Sequence, residues 1–215
     1  MRKLITVPYI DQTKSWPTGC ECVSAVMLLC YLGIDISVDD FINKHVMKEP
    51  MRFGSTLSLN ADGVDLTPDP DNIIGTGPDP DECFAGSPYD KDSFGCYPGV
   101  IVRALNSCFA EYRAEDATGV TTDRLLVDHI DNGRPVIYWA SLCLAETIKG
   151  PSWRIGSKVF TWTSMEHCML LVGHDDEKNT LIFNDPWMNH GTVEYDRELA
   201  IKRHDELGGR AVTYK

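Results

Sequence analysis

Apolar residues recur at Val23, Val26, Met27 and Cys30, the i, i+3, i+4, i+7 spacing of one helix face. Pro17 and Thr18 stand just before this run and Gly33 just after it. Thr18 can cap a helix start, proline suits the first turn, and glycine is a natural left-handed stop. The pattern therefore predicts a buried helix of about three to four turns that opens at Cys20. A second helix is expected from Ser37, with Asp39 and Asp40 in its first turn, Phe41 and Ile42 facing inward, and an end near His45 or Met47. Pro98 to about Tyr112 reads as a third, with Ile101, Ala104, Leu105 and Cys108 as its inward stripe. Thr121 or Thr122 caps a fourth, which carries Leu125, Leu126, His129 and Ile130 inward and ends at Gly133. His129 reads as a core or surface histidine.

Strand patterns fall elsewhere. Leu4 to Tyr9 reads as a short edge strand, because Pro8 cannot donate to a central ladder. Pro135 to Ala140 is a run of β-branched and aromatic residues and is expected as a buried strand. His167–Val172 and Thr180–Asn184 form two more strands around a polar turn from Gly173 to Asn179. A hairpin centred near Asp176 puts His167 directly opposite Asp185, where Cβ atoms come within about 4.5–5.5 Å. Residues 142–165, with Trp153 and Trp162, are expected as a loop.

Residues 50–98 differ from the rest. Glycine and proline are dense there, and Asp recurs from Asp62 to Asp92. Such a stretch predicts a loop-rich insertion that serves as cleft wall or lid. No segment of it fits the twelve-residue calcium loop, so no metal is expected.

Composition narrows the partners. The 215 residues suit one substantial domain or two small ones, and 43% hydrophobic with 24% charged residues is ordinary for a globular protein. Twenty basic against 32 acidic residues give a formal charge of −12, which repels nucleic acid and anionic lipid. No apolar run approaches membrane-spanning length. Met1–Ile10 begins like a signal peptide, but Pro8 and Asp11 cut its apolar core short. The chain therefore reads as cytoplasmic, or as a mature extracellular or cell-surface sequence whose leader is absent. The eight cysteines form no Cys-x-x-Cys pair and no zinc pattern; they permit disulfides without requiring them.

The chemistry begins at Cys20. A thiol in the first turn of a helix meets unpaired N–H groups and the positive end of the helix dipole, which favour the nucleophilic thiolate. Cys22 projects about 200° around the helix from Cys20, so one of the two can face a cleft. Glu21 opposes thiolate formation unless it faces away. At the other end of the chain, Asp185 can hold the His167 imidazole in one tautomer. Trp187 is expected to shield that pair or to pack in the core.

In order, Gln12, Gly19-Cys20 opening an apolar helix, His167 beginning a strand that ends in Val172-Gly173, and Asn184-Asp185-Pro186 resemble the papain-fold cysteine peptidases. The resemblance is to the branch related to the bacteriocin-leader (double-glycine) peptidases, peptidase family thirty-nine. Pro135-Val136-Ile137, Gly86-Ser87-Pro88 and Gly95-Cys96-Tyr97 are similar to its bacterial extracellular members. The resemblance implies an α+β fold over roughly residues 4–190, with a helical part that packs the catalytic cysteine's helix on an antiparallel sheet. One domain is expected over residues 1–215, with the insertion at about 50–98. It further implies Cys20 as nucleophile, His167 as base and proton donor, Asp185 as the group that orients His167, and Gln12 as oxyanion donor with the Cys20 N–H. No cofactor is implied, and the partner is a peptide or amide substrate cleaved through a thioester. A γ-glutamyl or acyl transferase and a catalytically silent peptide-binding module share the fold and remain open.

Overall fold

The computed structural model describes residues 1–54 and 73–215 with their side chains, and within 55–72 only the backbone of Ser58–Asn60 and Gly63–Asp65. The chain runs through β1 (Arg2–Leu4), α1 (Cys20–Tyr31), α2 (Val38–Lys44), β2 (Lys48–Glu49) and β3 (Arg52–Phe53). The hairpin β4 (Ser58–Asn60) and β5 (Gly63–Asp65) follows, then β6 (Ile73–Thr76), β7 (Phe84–Ala85), α3 (Pro98–Cys108), β8 (Ala114–Asp116) and α4 (Thr122–Asp128). The last third holds β9 (Val136–Ser141), β10 (Ile148–Ile155), β11 (Lys158–Ser164), β12 (Glu166–Asp175), β13 (Thr180–Asp185), β14 (Gly191–Asp196), α5 (Arg197–Glu206) and β15 (Ala211–Tyr214).

The main sheet is antiparallel in the order β14-β13-β12-β9-β15-β8, with β1 on β12. β12 pairs with β9 through Glu166–Leu171 and with β1 through Gly173–Asp175, so one edge serves two partners in succession. Gly173 permits this, because a Cβ there would lie 2.2 Å from the Lys3 carbonyl oxygen. All of β9 is buried, and so are His167–Asp175 of β12. Such strands are apolar runs without alternation because both faces are covered. Tyr138 stacks on His204 of α5 at 3.9 Å. Its neighbour Trp139, which points to the other face, donates Nε1–H to the Cys96 carbonyl.

α1 is the core helix. All ten residues from Cys20 to Leu29 are buried, more than the single stripe the spacing predicts. Burial on all sides removes amphipathicity, so the helix fits between the sheet, α2 and α3. Its polar residues must find partners, and Ser24 Oγ donates to the Cys168 carbonyl. Thr18 does not cap α1. Its hydroxyl donates instead to the Ser87 and Asp90 carbonyls, and the cap position falls to Gly19. Gly33 takes the left-handed conformation expected of it, φ +77°.

Ser37 caps α2 by accepting from the Asp40 N–H, and Thr121 caps α4 by accepting from Arg124. α3 stops at Cys108, short of Tyr112. The N-terminal strand is Arg2–Leu4 and gives way before Pro8, so the expected Leu4–Tyr9 strand is displaced toward the start of the chain. His129 is half-buried at the end of α4.

Residues 142–165 are not a loop. They hold the hairpin β10–β11, whose register carries Trp153 against Phe160. β6 adds to β10 in parallel and β3 to β6 in antiparallel, so parts of the 50–98 stretch and this hairpin build a second sheet. The side chains of Asp62, Asp65, Asp69 and Asp71 lie outside the described residues. Between this sheet and the α3 entry sits an aromatic cluster. Trp162 stacks on Tyr97 at 5.4 Å, Phe94 packs on Trp153 at 4.8 Å, and Arg210 lies 3.6 Å over the Tyr97 ring. Tryptophan patterning gave no strand signal because its apolar residues are grouped by this local cluster rather than by the main core.

Trp153 is fully buried and donates Nε1–H to the Pro78 carbonyl at 2.9 Å. Trp153→Ala removes both packing and that bond, and should cost about 3–5 kcal/mol in urea unfolding. A loss under about 1 kcal/mol would mean that the second sheet does not unfold with the main one.

Candidate active site

Cys20 opens α1 at the floor of a cleft of about 410 Å³. Gln12, Cys20 and His167 all line it, and Trp187, Glu166, Leu142 and Met165 contribute from the main-sheet side. Lys91, Ser93 and Phe94 from the glycine- and proline-rich stretch, with Trp162 and Ser164 of β11, form the facing wall. A larger hollow of about 750 Å³ adjoins it and shares Lys91 and Ser93, but among the described residues it is lined by neither a cysteine nor a histidine. Met165, between β11 and β12, adopts φ +67°, a conformation that non-glycine residues seldom take and that often marks functional sites.

His167 is buried and its Nε2 lies 2.7 Å from Asp185 Oδ1. The two residues are not directly opposite each other. Leu170 pairs with Asn184 and Asp175 with Thr180, with a bulge at Val172, so the turn lies further along than Asp176. The register puts Asp185 across from Met169, and His167 becomes its diagonal neighbour on the same face. Diagonal neighbours are about 7–8 Å apart at the backbone, a span two long side chains can close.

Asp185 is the most heavily bonded carboxylate of the site. Besides His167 it accepts from the Trp187 N–H at 3.0 Å, from His190 Nδ1 at 3.0 Å and from the Tyr195 hydroxyl at 2.9 Å. Burial pushes its pKa up, but the His167 hydrogen bond and charge, the Trp187 amide and His190 outweigh this and hold it well below the usual carboxylate range. An ionised Asp185 fixes the proton of His167 on Nε2. Nδ1 makes no hydrogen bond to a described residue. Trp187 is half-buried in the cleft wall, so it is not a fully buried core residue. His190 and Tyr195 escaped the sequence reading. The usable signal was the alternation of Val193 and Tyr195 with Thr192 and Glu194, the two-residue period of a strand beside β13.

Gln12 is buried. Its Nε2 donates to the Pro17 carbonyl at 3.1 Å and its Oε1 has no partner among the described residues. Its backbone N–H donates to the Pro186 carbonyl, which ties the loop before α1 to the segment that carries Asp185.

The thiol of Cys20 does not follow the helix dipole alone. It donates to Glu21 Oε2 at 3.3 Å, and among the described residues it makes no hydrogen bond to His167. Burial first, then Glu21 and Glu166, push the Cys20 pKa well up, against a small opposing pull from the Cys168 amide. The resting thiol is therefore neutral, contrary to the thiolate expected from the helix start. Glu21 faces inward rather than away, is fully buried, and its Oε1 accepts from the Cys96 N–H at 2.7 Å. Desolvation raises its pKa to about 7 despite that bond. Cys22 is fully buried and away from the cleft. All eight cysteines are free thiols. Among the described residues Cys20, Glu21 and Glu166 are the one group able to share a metal ion, with ligand atoms within 4.8 Å of one another. No described helix is long and apolar enough to cross a membrane.

The model of the Peptidase_C39 like family matches residues 4–212. The chain belongs to this family. Family membership accounts for the α+β architecture and points to cysteine peptidase activity. A Bacillus anthracis protein described as a candidate C39-like peptidase superposes with a TM-score of 0.79, covering 100% of this chain and 98% of that one at 23% identity. A double-glycine-motif protease from an AMS/PCAT transporter, solved with its leader peptide, superposes with a TM-score of 0.50 at 12% identity, covering 100% of this chain and 98% of that chain. The uncharacterized protein YvpB of Bacillus subtilis (strain 168) is 23% identical over 194 residues, 90% of this chain and 68% of its own.

Asp185→Asn tests the electrostatics of the histidine pair. A carboxyl with a depressed folded pKa stabilises the fold above its unfolded value of about 3.9, and this is lost as pH falls through the folded value. The variant should melt below the wild type at pH 7, and the gap should close as pH drops below about 4. A gap that stays constant between pH 7 and 3 would place the loss in packing.

Proposed function

We propose that this protein is a cysteine peptidase or amide hydrolase that works through Cys20, His167 and Asp185. The observation that carries this is the shared cleft: a cysteine at the buried start of α1 and a histidine held at 2.7 Å by an ionised aspartate line the same cavity. In this reading Cys20 Sγ attacks the amide carbon while its proton passes to Nδ1 of His167. His167 then returns that proton to the leaving amine, and a thioester remains on Cys20. Water hydrolyses the thioester with His167 as base. Asp185 keeps the ring oriented and stabilises its charged form.

Gln12 has two amide hydrogens and gives one to Pro17. The other, with the Cys20 N–H, is available to the developing oxyanion. The leader peptide bound by the double-glycine-motif protease supports an extended peptide as substrate here. The wall formed by Lys91, Ser93, Phe94 and Trp162 would meet its side chains and set specificity.

A peptidyl chloromethyl ketone, which forms a stable thioether with loss of chloride, provides a test without a known substrate. Intact mass followed by peptide mapping should find one adduct, on Cys20, and none in Cys20→Ala, which should fold normally. An adduct chiefly on another cysteine, or none on the folded protein, would remove Cys20 as nucleophile. With a cleaved peptide in hand, Gln12→Ala should lower kcat by about 10²–10³ with little change in KM. An unchanged kcat would place Gln12 outside the oxyanion site.

A further inference from the structure

Adjacent residues on β12 point to opposite faces of the sheet, so Glu166 and His167 diverge from one another. His167 goes to Asp185. Glu166 goes to the face that carries Cys168 and Trp139, where it meets Glu21 and Cys20. Two carboxyl groups thus lie beside the thiol, Glu21 fully buried and Glu166 half-buried at the cleft. Glu166 Oε1 is cut off from solvent and has no hydrogen-bond partner among the described residues. Glu21 sits in a cradle shaped for it: the Cys96 N–H donates to Oε1, and a Cβ on Gly95 would come within 2.3 Å of the same oxygen.

We propose that Glu21 is a further catalytic residue, which must carry a proton for Cys20 to ionise and which then donates that proton's hydrogen bond to the thiolate. This rests on Cys20 being the nucleophile. The contact between Sγ and Oε2 has two directions. With Glu21 ionised, the thiol donates to the carboxylate and its proton is held, which is the arrangement drawn by the 3.3 Å bond. With Glu21 neutral, the S–H proton moves to His167, the bond between Sγ and hydrogen breaks, and the Glu21 hydroxyl donates to the sulfur anion. Glu21 neither gains nor loses a proton in that step.

The titratable groups that face Glu21 are Cys20 and Cys22 on α1, Cys96 and Tyr97 before α3, and Glu166 and Cys168 on β12. Arg210 lowers the Glu166 pKa and Lys48 that of Cys22, and both remain secondary to burial. A buried carboxyl beside a second one holds its proton toward neutrality, because two adjacent charges are not both solvated. Burial lifts Glu21 to about 7 and pushes Glu166 well above its ordinary value, in keeping with one pair that binds a proton where ordinary carboxyls have lost theirs.

The test is the pH profile of Cys20 alkylation by iodoacetamide, followed by peptide mapping, in wild type, Glu21→Gln and His167→Ala. Glutamine keeps an acceptor for the Cys96 N–H and a donor for the sulfur but cannot ionise. Wild type should lose several-fold in rate as pH rises through about 7, before the thiol ionises outright at high pH. Glu21→Gln should lack that descending limb. Superimposable profiles for wild type and a folded Glu21→Gln, with alkylation still dependent on His167, would overturn the role of Glu21 alone. Alkylation of Cys20 that is slow at every pH and indifferent to His167→Ala would instead overturn the nucleophile assignment. Should Glu21→Gln fail to fold, Gly95→Ala displaces the same carboxyl from its cradle, and an unaltered descending limb there would also overturn the proposal.

Discussion

Everything near the cleft depends on the burial of Cys20–Leu29, the first ten residues of α1. A helix enclosed by a sheet and two other helices tolerates no unsatisfied polar atom, so each polar group it carries is bound by a specific partner. Ser24 is tied to the Cys168 carbonyl and Glu21 to the Cys96 amide. Those two bonds lock the start of the helix to β12 on one side and to the entry of α3 on the other. Cys20 is therefore fixed in place by its neighbours in sequence. The same enclosure removes water, which makes the local charge balance, rather than the helix dipole, decide the state of the thiol.

The site holds three carboxyl groups of two opposite characters. Asp185 is surrounded by donors and remains charged although buried. Glu21 and Glu166 have one well-formed backbone donor between them and are pushed toward the neutral form. Burial is common to both, so the number of hydrogen-bond donors separates them. The single residue step from Glu166 to His167 along β12 carries the chain from one environment to the other.

Much of this was legible in the sequence. Helix starts at Ser37 and Thr121, the core run 136–140 and the order Gln12, Cys20, His167, Asp185 are all local patterns. The chemistry of Cys20 was legible only in part. Helix position predicts a thiolate, and what reverses it is burial first, then Glu21, then Glu166, which is brought in from 146 positions along the chain. The hairpin turns between Glu177 and Lys178 rather than at Asp176, an offset that alone would put His167 and Asp185 on opposite faces; the bulge at Val172, which no periodicity announces, takes one residue off it, and the remaining shift of two leaves both on one face. The strands β10 and β11 were read as loop. Their aromatic residues pack against Tyr97 and Phe94, so the pattern that defines them is tertiary.

The first strand has a consequence for how this chain acquires its fold. β1 pairs Arg2 with Asp175 and Leu4 with Gly173, on the same strand that carries His167. That is a contact of very long sequence separation, and the loop it closes includes α1 and the whole second sheet. Pairings of this kind raise contact order and are entropically late. During synthesis, β1 remains without its partner strand until β12 has been made. The cleft acquires its histidine in the same interval, so assembly of the site and closure of the sheet by β1 belong to one late event.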